Sequence, residues 1–292
     1  MSDSKSPKIL ITGATGNIGT ELTRYLSSRQ VPFTAMIRSR KDAVLFADMP
    51  TATVIVGDFN DEKSLFAALT GIDRAFLLTN SSAEAEAQQC NFVKAASKAG
   101  VGHIVKLSQW AADVHSPVRF LRYHAVVENL IRESGMAYTF LRPNLFMQGL
   151  LGFRDTIIHQ NKFFGAIGEA KISLVDTRDI AAVAAAALTG TGHENKIYNI
   201  TGPEALSHQE LADNLSKVLG RHIQFVDVPS EALLQMLLGV GFPQWQAEGL
   251  VEDYAHYKRG EAQAIADGVF EATGLLPRSF DLFAGDYAAL FS

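Results

Sequence analysis

The chain has 292 residues, 47% hydrophobic and 20% charged, enough apolar material for one large or two modest cores. Its 26 Lys and Arg face 31 Asp and Glu for a formal net charge of −5, so no overall positive excess draws a polyanion, and direct nucleic-acid binding is not expected. The single cysteine, Cys90, excludes an internal disulfide framework.

"MSDSKSPK" has no apolar core of a signal peptide. The longest apolar run, Ile180 to Leu188, falls short of the ~20 residues that span a bilayer. A soluble cytoplasmic protein is expected, a monomer or homodimer with no membrane partner and no metal site. From Lys8 onward, short β-branched runs alternate with amphipathic stretches: "KILITG", "IGTELTRYLSS", "PFTAMIR", "ATVIVGD", "DEKSLFAAL", "RAFLLTN" and a long helix ending near Gly100. Cys90 lies in that last helix, where an inert packed thiol is expected. "HIVKLSQ", the helix "RFLRYHAVVENLIRESG" and "AYTFLRP" bring the count to six nearly continuously apolar strands. Such strands suit burial on both faces, so the expected fold is α/β, a Rossmann-type doubly wound parallel sheet.

After Pro143 the alternation loosens. "NLFMQGLLGFRDTIIHQ" reads as helix or loop, "KISLVDTRDIAAVAAAAL" as strand, turn and helix, and "NKIYNITG" as a further strand. The rest is mostly helical; one helix opens on Ser207 with Glu210 as its capping-box partner and closes on Gly220. The expected division is a dinucleotide-binding unit of residues 1–149 plus 172–199 and a smaller, mostly helical C-terminal substrate-side unit of 150–171 plus 200–292.

"ILITGATGNIGTELTRYL" sets Gly13, Gly16 and Gly19 between a strand and a helix. The first suits a tight turn, the second close approach of a pyrophosphate, and the third tight helix–strand packing. Amides at the helix start supply the anion site, which makes Thr12, Thr15, Asn17 and Ile18 cofactor candidates as well. An NAD site usually ends its second strand on an acidic residue; here the strand runs into Arg38, Ser39, Arg40 and Lys41. Guanidinium and hydroxyl donors favour a 2′-phosphate, so NADP(H) is expected over NAD(H), with Arg38 as the main contact. Asp58 could accept from an adenine amino group beside Phe59, or could cap the next helix. Thr79, Asn80, Ser108 and Gln109 end the fourth and fifth strands, on the sheet edge where a cofactor lies.

With "TGATGNIG", Asp58, "SGMAYTFLRPN", "LRPNLFMQ", "VDTRDIAAVAAAAL" and "GHENKIYNITGPEALSHQELA" in place, the sequence resembles the atypical short-chain dehydrogenase/reductases over essentially its whole length. More narrowly it resembles their NmrA-like group, which includes quinone, triphenylmethane-dye and azo-dye reductases and redox-sensing regulators. Extended members of the wider family carry Tyr, then Lys four residues on, then Glu four residues later; here those positions read Phe120, His124 and Glu128. Tyr123 lies about 60° from Phe120 on the helix and is expected to face elsewhere. The Tyr-Lys relay of alcohol oxidation is therefore absent. The dye- and quinone-reducing members share a His-x-x-x-Glu helix, which implies a role for His124 near the nicotinamide ribose or as a proton donor, with Glu128 orienting it or raising its pKa.

The resemblance implies hydride transfer from NADPH to an already electrophilic aromatic acceptor: a quinone, a triarylmethane or an azo dye. Large apolar side chains should wall the acceptor, with Trp110, Phe146 and Met147 as candidates beside Asn144 in the "RPN" turn at the carboxyl edge of the sixth strand, and Phe153, Phe163 and Phe164 behind them. Two alternatives stay open: a non-catalytic NADP(H) sensor acting through protein partners, and a C=C or C=N reductase of a natural product.

Overall fold

A computed structural model describes residues 6–292. In chain order the strands are β1 (Ile9–Ile11), β2 (Phe33–Ile37), β3 (Ala52–Val56), β4 (Arg74–Leu77), β5 (His103–Leu107), β6 (Ala137–Pro143), β7 (Lys162–Gly165), β8 (Lys171–Ile172), β9 (Lys196–Ile200), β10 (Leu206–Ser207) and β11 (Gln224–Asp227). The helices are α1 (Asn17–Ser28), α2 (Glu62–Leu69), α3 (Ala85–Ala99), α4 (Arg119–Glu133), α5 (Arg154–Gln160), α6 (Thr177–Thr189), α7 (His208–Leu219), α8 (Ser230–Gly239), α9 (Gln244–Lys258), α10 (Gly268–Thr273) and α11 (Phe280–Tyr287). Seven strands form one parallel sheet in the order β3-β2-β1-β4-β5-β6-β9. The chain starts at an inner strand, winds outward to β3, then crosses to β4 and winds the other way, the doubly wound topology expected of a Rossmann-type fold.

Each face of the sheet has its own core. On one, Ile18, Leu22 and Leu26 of α1 meet the apolar run of α6 and Val269 of α10. The alanines of α6 follow from its place: a helix buried almost all round, against α1 and the sheet, has room only for small side chains. On the other face, Leu65 and Leu69 of α2, Phe92 and Val93 of α3, and Val127 and Ile131 of α4 cover Leu10, Ala75, Ile104 and Phe140. Cys90 sits half-buried at the rim of this core.

A third core gathers C-terminal elements, with Leu211 and Leu215 of α7, Phe280 and Phe283 of α11, and Phe163 and Phe225 from β7 and β11. β7 pairs with β11 in parallel and β8 with β10 in antiparallel fashion; of these four strands the sequence anticipated only β8, at "KISLV". "NLFMQGLLGFRDTIIHQ" resolves into a 3-10 turn over Met147–Phe153 followed by α5. The Ser207–Glu210 capping box forms, and α7 ends on Gly220 in the left-handed region, φ 63°. Among the described residues no helix is long and apolar enough to cross a membrane.

Candidate active site

A cleft of about 920 Å³ runs along the carboxyl ends of the central strands, from the glycine turn after β1 to a wall made by α4 and α9. At its first end the three glycines differ in what surrounds them. Gly13 has φ 60°, and a side chain there would press on Leu78. A Cβ at Gly19 would collide with the backbone of Gly13 and Ala14, so this glycine serves helix–strand packing. Gly16 lines the cleft, and a Cβ there meets only the Gly13 carbonyl oxygen, at 3.4 Å. It is also the N-cap of α1 with no side-chain cap and no acidic residue in the first turn, leaving helix-start amides and a positive dipole end to the cleft. This cradle fits a dinucleotide pyrophosphate.

Thr15, Asn17 and Ile18 line the cleft with the glycines; Thr12 does not. Thr12 is fully buried, and its hydroxyl donates to the Phe76 carbonyl at 2.9 Å and accepts from the Leu78 amide at 2.9 Å, tying β1 to β4 behind the turn. Arg38, exposed, and Asp58 and Phe59 lie along the same end. One Asp58 carboxylate oxygen accepts from the Asn60 amide, and the cap of α2 is Asp61. Ser39 caps the short helix over Arg40–Phe46, accepting from the Lys41 amide. Mid-cleft, Thr79, Asn80 and Ser108 are present. Gln89 donates to the Thr79 hydroxyl at 2.8 Å while its own carbonyl oxygen, buried, has no partner among the described residues, an acceptor available to a bound group.

His124 lines the cleft, but its partner is not Glu128. Its Nδ1 lies 2.7 Å from Nζ of Lys106, a fully buried lysine on β5 whose ammonium also donates to the Leu107 carbonyl. Burial first, then the neighbouring Lys106 and Arg142, push the imidazole well below its usual range. Burial pulls Lys106 down to about 7 against the opposing pull of Glu128. Lys106 is thus the donor, His124 is neutral with Nδ1 accepting, and Nε2 is left as the ring's N–H.

The expectation that Glu128 orients His124 or raises its pKa is corrected accordingly. Glu128 is fully buried and spends both oxygens elsewhere: on the Ser108 hydroxyl at 2.6 Å, Arg142 at 2.9 and 2.6 Å, and Arg132 at 3.1 Å. Two guanidinium groups outcompete a neutral imidazole for a buried carboxylate. Tyr123, expected to face away, also lines the cleft; its ring packs at 4.1 Å centroid distance on His124, and its hydroxyl lies 3.3 Å from that of Ser81. A cleft wall wider than one helical stripe takes neighbouring positions of α4. Burial raises this phenol above its ordinary range, so it stays neutral.

At the far end the wall holds Phe120, Asn144, Phe146 and, from α9, Gln246, Leu250, Asp253 and Tyr257. The Asn144 side chain is committed to structure, donating to the Ser173 hydroxyl and the Ala262 carbonyl. Trp110 and Met147 lie outside the wall: the Trp110 indole donates to the Glu261 carbonyl, and Met147 belongs to the third core with Phe153 and Phe163. Phe164 does not line the cleft either. Arg119 fastens α9 to α4, bonding Glu252 at 2.7 Å and Glu248 at 2.9 Å.

Residues 5–274 match the family described as the NmrA-like family. The chain belongs to it. Among NmrA-like relatives, an NAD(P)H azoreductase of Xenophilus azovorans is 38% identical over 97% of this chain and 99% of its own length. Among solved structures, an NADPH-dependent quinone oxidoreductase of Escherichia coli complexed with NADPH superposes with a TM-score of 0.86 at 28% identity, covering 97% of this chain and all of that one. The Citrobacter sp. triphenylmethane reductase complexed with NADP(H) superposes with a TM-score of 0.85 at 29% identity, covering 96% and 99%.

Proposed function

We propose that this NmrA-like protein is an NADPH-dependent reductase of electrophilic aromatic acceptors such as quinones, azo dyes and triarylmethane dyes. The observation that carries the reading is the continuous cleft, with a built anion cradle at Gly13–Ile18 and an aromatic wall of Phe120, Tyr123 and Phe146 at its other end. Relatives named for azo-dye, quinone and triphenylmethane reduction support it.

A nicotinamide dinucleotide held in the cleft supplies a hydride. Gly16 and the α1 amides would hold its pyrophosphate, and Arg38, just after β2, would pair with a 2′-phosphate, which favours NADP(H). His124 offers Nε2–H as a positioning hydrogen bond. Being neutral, it is a poor source of a full proton. With electrophilic acceptors the main requirement is alignment, and the aromatic side chains of the wall offer the surface for it. We further propose that residues 1–149 and 172–199 act as the cofactor-binding unit and 150–171 with 200–292 as the substrate-side unit. NADPH consumption against a panel of quinones, azo dyes, triarylmethane dyes and imines tests the reading. Binding of NADPH with no consumption by any of them would favour a sensor instead.

A further inference from the structure

Reduction of a quinone or an azo bond needs a proton as well as a hydride, and the groups nearest the acceptor end are poorly suited to give one. His124 is held neutral, and Tyr123 and Tyr257 are buried phenols raised above their ordinary range. One acid remains. Asp253 on α9 lines the cleft with only 4% of its surface exposed. No ion pair involves it among the described residues. Its partners are neutral: the Gln109 amide donates to its two oxygens at 3.1 and 3.0 Å, and the Tyr257 phenol lies one turn further along the helix.

Resting on the reductase reading, we propose that Asp253, held by Gln109 and Tyr257 and set in place by the Arg119 clasp on Glu252, is the proton donor to acceptors that need one. In that step the acceptor's N=N or C=O π bond opens. Hydride from the reduced nicotinamide forms one new bond, the Asp253 carboxyl proton forms an N–H or O–H bond at the other end, and the carboxylate left behind is reprotonated from water. A cationic triarylmethane is neutralised by hydride alone, so it needs nothing from Asp253.

The surroundings fit a carboxyl that keeps its proton near neutrality. Burial, helped by Glu252, pushes Asp253 up to about 7, against the hydrogen bonds from Gln109 and Tyr257. On α9 the other titratable neighbours are Glu252 and Tyr254; Arg119 of α4 is occupied by Glu252 and Glu248, and Tyr123 faces the same end. Lys171 of β8 bonds Glu210, so it brings no cation to Asp253. A depressed acid here would need a positive neighbour that the structure does not supply.

The test compares single-turnover rates of NADPH oxidation with a quinone, an azo dye and a cationic triarylmethane dye, in the parent, Asp253→Asn and Lys106→Met, from pH 5.5 to 8.5. In the parent, quinone and azo rates should fall above neutral pH relative to the cationic dye. In Asp253→Asn at pH 6 that ratio should drop about 10²-fold and lose its pH dependence. Carboxyl-carbon NMR, assigned by difference against Asp253→Asn, should show Asp253 titrating near neutrality without any substrate. An unchanged ratio in Asp253→Asn overturns the proposal, as does a carboxyl ionised throughout the range. A drop of the ratio in Lys106→Met instead would assign the proton to Lys106 through the His124 ring and overturn it too. If the parent reduces none of the acceptors, the reductase reading itself fails, a result distinct from any of these.

Discussion

Nζ of Lys106 stands 2.7 Å from Nδ1 of His124, with the lysine buried completely and the ring open to the cleft. Two bases share one dry site, where burial is the main force against the charged form of each. With the folded lysine titrating near 7 and the unfolded one near 10.5, the unfolded chain binds more protons between those values. Stability from this group is therefore full above the unfolded value and lost as pH falls toward 7. Lys106→Met removes the penalty, so the variant should exceed the parent by about 1 to 4 kcal/mol near pH 7. That advantage should shrink steadily toward pH 10. Urea unfolding of both proteins from pH 6.5 to 10 measures it, and an advantage that does not change with pH would contradict the assignment.

Removing the ring should cost little if it only positions. His124→Ala should lower single-turnover NADPH oxidation by about 10²-fold or less. A loss approaching 10⁴-fold with unchanged cofactor affinity would make His124 an essential acid.

Cofactor choice should turn on Arg38, which follows β2 at the cleft where an acidic residue would select NAD. The parent should bind NADPH more tightly than NADH. Arg38→Asp should lose about 1.5 to 3 kcal/mol of NADPH binding and reverse the order. Calorimetric titration with both cofactors decides it; equal affinities in the parent would remove the case for a 2′-phosphate site.

The glycine turn gives a paired test. Gly16 has open space toward the cleft, so Gly16→Val should fold with a melting temperature close to the parent's and fail to bind NADPH. Gly19 has none, so Gly19→Val should lose the fold itself. Thermal melts beside fluorescence titrations distinguish the two, and retained NADPH affinity in Gly16→Val would mean that the turn holds no phosphate.

Glu128 should matter to stability. Glu128→Ala strands Arg142 and Arg132 around a buried void and should cost about 3 to 5 kcal/mol, seen as a lower urea midpoint at unchanged slope. A loss below about 1 kcal/mol would show that the network is loosely held.

The central sheet was legible in the sequence because its signals are local. Each apolar run carries its own period, and the glycine turn sits within one strand–helix unit. Of the two small sheets only the strand at "KISLV" was legible, because strands of two to four residues are too short to show alternation by themselves. The cleft chemistry was less visible, since it depends on apposition across the fold. Lys106 and Arg142 did leave a trace as lone cations inside apolar strands, "HIVKLSQ" and "AYTFLRP", where a charge must find a buried partner. Nothing local marks Asp253, whose role depends on α9 being drawn onto α4 by Arg119 and on Gly249, where any side chain would strike the Phe120 ring. Trp110 and Met147 were natural pocket candidates by residue type, and the third core and the Glu261 carbonyl claimed them.

The position of β9 bears on how the molecule is made. β6 pairs with β5 on one side and with β9 on the other, and β9 ends only at Ile200. α6, which covers α1, likewise emerges some 150 residues after it. At about 5 to 20 residues per second, a nascent chain leaves the β6 edge unpaired for several seconds while residues 144–200 are synthesised, and the α1 face bare for longer. During that interval the exposed backbone of Phe140 and Leu141 is the segment on which a ribosome-bound chain is most open to pairing with a neighbour.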